Sequence, residues 1–205
     1  MIPKTIVAIG ASSVFGKIDP EGGFIGRFKT WHEFIDLEEN SVYNLGIPGD
    51  TTTGMIKRAS LEIAIREPDL VIFSLGSNDT ARNGSKDGKI TTNINGFKKN
   101  VKELIYISNK LAKKTIFVGS YPINDTLTKP FKGTDKYYSM KDLSLYISET
   151  KKICLDMGVP YLDIFNLFLA ENYKDYIYTD GLHCNDKGHD RICTELRNFF
   201  NSLYS

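Results

Sequence analysis

Asp180 and His183 stand three residues apart in Thr179-Asp180-Gly181-Leu182-His183-Cys184-Asn185. At that spacing one turn can bring the carboxylate onto the imidazole Nδ1–H. This fixes the tautomer and leaves Nε2 free as a base. The same spacing also serves plain surface and capping turns, so the pair has meaning only beside a nucleophile. The chain has three histidines. His32 falls within an amphipathic helix beside Trp31 and reads as structural. His189 falls one turn into the C-terminal helix and reads as exposed. Serine-type chemistry therefore falls to His183.

A nucleophilic hydroxyl is best presented at a strand exit, on a tight turn into a helix whose first amides are free. Ser12, two residues past Gly10, meets that condition. Ser12 or Ser13 reads equally as a helix N-cap. A phosphate loop is disfavoured, because Gly10-Ala11-Ser12-Ser13-Val14-Phe15-Gly16 lacks the Walker lysine and the GxGxxG spacing. A G-x-S-x-G elbow is absent, since residue 14 is Val. Asn78, in Leu75-Gly76-Ser77-Asn78-Asp79, can offer a side-chain amide to an oxyanion, or simply form a turn. Gly49 can offer a backbone N–H, or serve as a type II turn glycine after Pro48.

These residues need a scaffold that gathers them. Short β-branched runs at Thr5–Ile9, Ser41–Leu45, Leu70–Leu75, Thr115–Gly119 and Val159–Asp163 read as strands covered on both faces. Helical periodicity marks 25–37, 53–66, 94–112, 140–157 and 186–203. Alternating strands and helices imply βαβ units and a three-layer α/β/α sandwich of about five parallel strands. Ligands in such a sheet sit beyond the carboxyl ends of the strands. The loops after the first three strands carry Ser12, Gly49 and Asn78 to that edge. The loop from Tyr121 to about Tyr138 carries Asn124, Asp125, Lys129, Lys132 and Asp135, and its length suits a lid or substrate wall.

Composition narrows the rest. The 205 residues fit one domain, 1–205. Lys plus Arg is 26 against 25 for Asp plus Glu, a balance that disfavours nucleic-acid and polybasic membrane-surface binding. No run approaches the roughly 20 apolar residues of a membrane helix. Cys154, Cys184 and Cys193 are odd in number and lack a CxxC pair, which points to reduced thiols and a cytoplasmic setting.

Taken in order, Ile6-Val7-Ala8-Ile9-Gly10-Ala11-Ser12, Val42-Tyr43-Asn44-Leu45-Gly46-Ile47-Pro48-Gly49-Asp50-Thr51, Leu75-Gly76-Ser77-Asn78-Asp79 and Asp180-Gly181-Leu182-His183 resemble the four blocks of GDSL-type esterases of the SGNH hydrolase superfamily. The resemblance implies a flavodoxin-like fold with five parallel strands ordered 2-1-3-4-5. It implies Ser12 as nucleophile and Asp180 and His183 as its triad partners. It implies an oxyanion hole from the Ser12 amide, Gly49 and Asn78. Gly46 rivals Gly49, which is preferred because it directly precedes Asp50-Thr51. Two positions depart from the pattern. Residue 11 is Ala where the family has Asp beside the nucleophile, and residue 184 is Cys where the family has Pro. A thiol beside a catalytic His can be reactive; a buried, inert Cys184 is the simpler expectation.

The expected activity is hydrolysis of a small or short-acyl carboxylic ester through an acyl-enzyme on Ser12, with no cofactor or metal. Acetyl on a carbohydrate or small alcohol suits the polar 121–138 loop. An acyltransferase with the same triad and a catalytically idle small-ligand module are the alternatives. The expected partner is a small-molecule ester. A homo-oligomer is not readable from the sequence.

Overall fold

A computed structural model describes residues 2–204. Five parallel strands form the main sheet: β1 (Thr5–Gly10), β2 (Ser41–Gly46), β3 (Leu70–Ser74), β4 (Lys114–Val118) and β5 (Tyr161–Leu162). Numbered in chain order, these five lie in the order 2-1-3-4-5. This is the expected α/β/α arrangement. Ile6 pairs with Val42 on one side and Leu70 on the other, and Gly10 pairs with Gly46 and Ser74. The first three strands therefore end level, and their loops leave from one edge.

Alternation along the strands divides the core in two. Ile6, Ala8, Ile72, Ile116 and Val118 face one layer, with α2 (Gly23–Ile35) and α7 (Asp186–Tyr204). Val7, Ile9, Val71, Phe73 and Phe117 face the other, with α3 (Thr52–Ala64), α4 (Ile94–Leu111) and α5 (Met140–Asp156). Three of these helices start where a side-chain oxygen accepts from a first-turn amide: Thr51 from Gly54, Asn93 from Gly96 and Ser139 from Asp142. Among the described residues no helix is long and apolar enough to cross a membrane.

The structure adds elements too short for periodicity to mark. These are the one-turn helix α1 (Ser12–Phe15), the helix α6 (Ile164–Leu169) and 3-10 turns at Asn78–Thr80 and Tyr173–Tyr176. An antiparallel ladder also pairs Arg82–Asn83 with Lys136–Tyr137. It ties the long loop after β4 to the loop after β3. The expected helix 25–37 is displaced to Gly23–Ile35, because the buried Asp19 carboxylate accepts from the Gly23 amide at 3.0 Å and sets an earlier start.

Gly10 is the joint between β1 and α1. A Cβ there would lie 2.3 Å from Val14 Cγ2 and 2.4 Å from the Ser74 carbonyl oxygen. Only glycine lets α1 fold back over the strand end and hold Ser12 at the sheet edge. Gly10→Ala is expected to lower stability by about 1–3 kcal/mol through overpacking. Urea denaturation checks this, and an unchanged midpoint with an unchanged slope contradicts it.

Candidate active site

Ser12 opens α1, directly after β1, and is half-buried. His183 lies on the loop before α7 and is buried. Its Nε2 is 3.1 Å from Ser12 Oγ. Its Nδ1 is 2.6 Å from Asp180 Oδ2. Asp180 Oδ1 accepts from the amides of Leu182 at 2.9 Å and His183 at 3.0 Å. Burial alone would push the Asp180 carboxyl up; the bonds from the His183 ring and these two amides outweigh it and hold the group below its usual range. An ionised carboxylate can only accept, so Nδ1 carries the proton and the Nε2 lone pair faces Ser12 Oγ. The turn is closed by Tyr178 N–H to the His183 carbonyl at 2.8 Å and by Asn124 N–H to the Gly181 carbonyl at 2.8 Å.

Three donors converge beside Ser12. As the first residue of α1, Ser12 has no intrahelical acceptor for its N–H, and no group among the described residues engages it. Gly49 sits at φ +83°, and its N–H is likewise unengaged. Asn78 Nδ2 donates to the Asp50 carbonyl at 2.9 Å, which leaves its second hydrogen free. The Asn78 amide is fixed from the other end, because Tyr138 Oη donates to its Oδ1 at 3.3 Å. Gly46 is unsuited to the donor role. Its N–H donates to Asn44 Oδ1 at 3.0 Å, and a Cβ there would meet the Phe15 amide nitrogen at 2.2 Å, so it serves close packing under α1.

The loops are braced to one another. Arg58 Nε donates to Asp50 Oδ2 at 3.0 Å and its Nη2 to the Gly10 carbonyl at 3.2 Å. Thr52 donates its hydroxyl to Asp79 Oδ1 at 2.7 Å and its amide to the same carboxylate. Burial pushes the Asp79 carboxyl up against these bonds.

Two spaces adjoin Ser12. A recess of about 20 Å³ is walled by Gly76, Ser77, Ser120 and Tyr121. An open cleft of about 250 Å³ runs past Gly49, Asn78 and His183, with Phe131, Lys136 and Tyr138 on its far side. The far wall comes from the loop after β4, as its length suggested. The individual wall residues were not singled out in the sequence, because a two-residue strand carries no readable alternation. Lys17 also lines the cleft, and no sequence motif marks it.

His189 departs from its expected exposure. It is buried, stacked on Phe24, and its Nδ1 accepts from the Phe24 amide at 3.2 Å. The helix turn that carries it faces α2 rather than solvent. His32 is buried between aromatic rings, as a structural residue should be. Cys184 is fully buried, and burial pushes its thiol well up, which disfavours the reactive thiolate.

Residues 8–191 match the model of the GDSL-like Lipase/Acylhydrolase family. No curated protein matches the sequence. Among solved structures, a lipase/acylhydrolase from Enterococcus faecalis superposes with a TM-score of 0.75 at 22% identity, over 97% of this chain and 96% of that one. An alpha/beta hydrolase from the metagenome of Lake Arreo gives 0.74 at 17% identity, over 98% and 97%. An acetylxylan esterase from Geobacillus stearothermophilus gives 0.73 at 16%, over 96% and 94%. These three likenesses establish the fold.

Burial lowers the His189 pKa to about 4, from an ordinary 6.5. Below about 6.5 the unfolded chain takes up a proton that the folded chain refuses until about 4. Stability is therefore full above that window and falls as pH drops through it, by up to roughly 3 kcal/mol from this group. His189→Gln is expected to flatten that part of the pH–stability curve. Parallel curves for the two proteins in urea contradict it.

Proposed function

The chain belongs to the GDSL-like lipase/acylhydrolase family and is a carboxylic ester hydrolase, and we propose that it removes short acyl groups, acetyl above all, through a covalent intermediate on Ser12. The observation that carries this reading is the 3.1 Å contact between His183 Nε2 and Ser12 Oγ, with Asp180 behind the ring. Ser12 Oγ attacks the ester carbonyl carbon as its proton passes to Nε2. Asp180 stabilises the imidazolium that forms. The developing oxyanion accepts from the amides of Ser12 and Gly49 and from the free N–H of Asn78. Donors of this kind contribute about 3–4 kcal/mol each in a water-poor site. Collapse breaks the bond to the alcohol oxygen, which takes the proton from Nε2. Water then gives its proton to His183 and its hydroxyl to the acyl carbon, which releases the acid and restores Ser12.

The acyl size follows from the recess. A space of about 20 Å³ holds a group of water or methyl size. Its lining includes the Ser77–Ser120 hydroxyl pair at 2.8 Å, which a longer chain would have to part or avoid. The open cleft is left for the alcohol, for which a carbohydrate or small alcohol is the proposed class. The three cysteines are all buried and unpaired, which fits a reducing, cytoplasmic setting.

Ser12→Ala and His183→Ala are each expected to lose at least 10³-fold in kcat on a p-nitrophenyl acetate-type ester while keeping the fold by circular dichroism. Wild type, and not Ser12→Ala, is expected to react with a fluorophosphonate. Full activity in either variant, or equal labelling, overturns the assignment. Asn78→Ala is expected to lower kcat by about 10²–10³ with little change in KM. Across p-nitrophenyl esters, kcat/KM is expected to fall at least tenfold from acetyl to hexanoyl, by exclusion from the recess. A flat or rising series contradicts the acetyl reading.

A further inference from the structure

The cleft for the alcohol carries an unbalanced charge. Lys17 and Lys136 both line it, and none of its lining residues other than the two lysines carries a fixed charge. Their positions are set by the backbone. The Lys17 amide donates to the Ser12 carbonyl at 3.0 Å, closing the turn around the left-handed Gly16, so residue 17 stays beside the nucleophile's own helix. Lys136 belongs to the short ladder with Asn83. Side chains two apart on extended backbone share a face. Tyr138, two residues on, points its hydroxyl at Asn78, so Lys136 points the same way.

Neither ammonium has an ion pair or a side-chain hydrogen bond among the described residues. Three carboxylates around the site are already engaged. Asp180 is held by the His183 ring and two amides, Asp50 by Arg58, and Asp125 by Lys129 at 2.7 Å. Asp135, the exposed residue before Lys136, pairs with neither ammonium among the described residues, and the chain's overall formal charge is only +1.

We propose that the alcohol half of the substrate is anionic, an acetylated sugar or polyol bearing a carboxylate or phosphate that Lys17 and Lys136 bind across the cleft. The inference rests on the ester-hydrolase reading of Ser12 and His183. Two unpaired cations in a concave site concentrate such a substrate and fix its orientation, an effect that salt weakens. Lysine contributes here as a point charge, which either anion satisfies.

The test compares three O-acetylated substrates of similar size: a methyl glucoside, a methyl glucuronide and a glucose 6-phosphate. At low salt, kcat/KM is expected to be at least tenfold higher for one or both anionic esters than for the neutral one, and added salt should shrink the ratio. Which anion is favoured distinguishes a uronate from a phosphorylated sugar. In Lys17→Gln/Lys136→Gln the anionic-to-neutral ratio is expected to fall towards one, and Lys136→Glu should invert it. A wild-type ratio near one, or a ratio that the double variant leaves unchanged, overturns the proposal while the neutral ester is still cleaved. Failure to cleave any of the three, together with no fluorophosphonate labelling, overturns the ester-hydrolase reading of the site instead.

Discussion

An imidazole held between a carboxylate and a hydroxyl is the constraint on which the rest of this structure depends. The Ser12 and His183 side chains are separated by 171 positions in sequence and by 3.1 Å in space. Neither loop could set that distance alone. One is fixed by Gly10, which lets α1 fold tightly onto the end of β1. The other is fixed by Asp180, which binds its own turn's amides with one oxygen and the imidazole with the other. The carboxylate thus sets the backbone of the turn and the tautomer of the base together.

The loss of the family's Asp at position 11 bears on how such a site stays organised. Ala11 precedes α1 and makes no side-chain cap. Other carboxylates nearby tie the loops together. Asp50, through Arg58, links the loop after β2 to the Gly10 carbonyl. Asp79 links the loop after β3 to Thr52. Asn78 adds a further link through the Asp50 carbonyl, and Tyr138 sets the amide's orientation from the long loop. The three donor-bearing loops are therefore cross-braced without the missing side chain. As the first amide of α1, the Ser12 N–H has no intrahelical acceptor.

What could be read from the sequence follows from the range of each signal. Four of the five strands and the five long helices run over five residues or more, and their existence was legible to within a residue or two at their ends, while the order of the strands came with the family resemblance. The residues on the first three strand exits and the Asp180–His183 turn were legible because chain order and sheet topology place them on one edge. His189 was misread, because helix position alone does not say which turn faces a neighbour; burial against Phe24 is a tertiary fact. Lys17, Lys136 and Tyr138 stayed hidden for a related reason. Their places at the cleft follow from a two-residue ladder and a one-turn helix, both shorter than any period. The recess lined by Ser77 and Ser120 is likewise invisible until the loops after β3 and β4 bring these two hydroxyls, 43 positions apart, to 2.8 Å.

The central claim is a covalent bond to one named oxygen, and it is tested most directly by acid-quenching the enzyme during turnover of an acetyl ester and sequencing its peptides by mass spectrometry. The account predicts a single acetyl group on Ser12, which accumulates during turnover and disappears when substrate is exhausted. Steady turnover with the acetyl group on another side chain, or with no acylated peptide under conditions where release of the acid limits the rate, would contradict it.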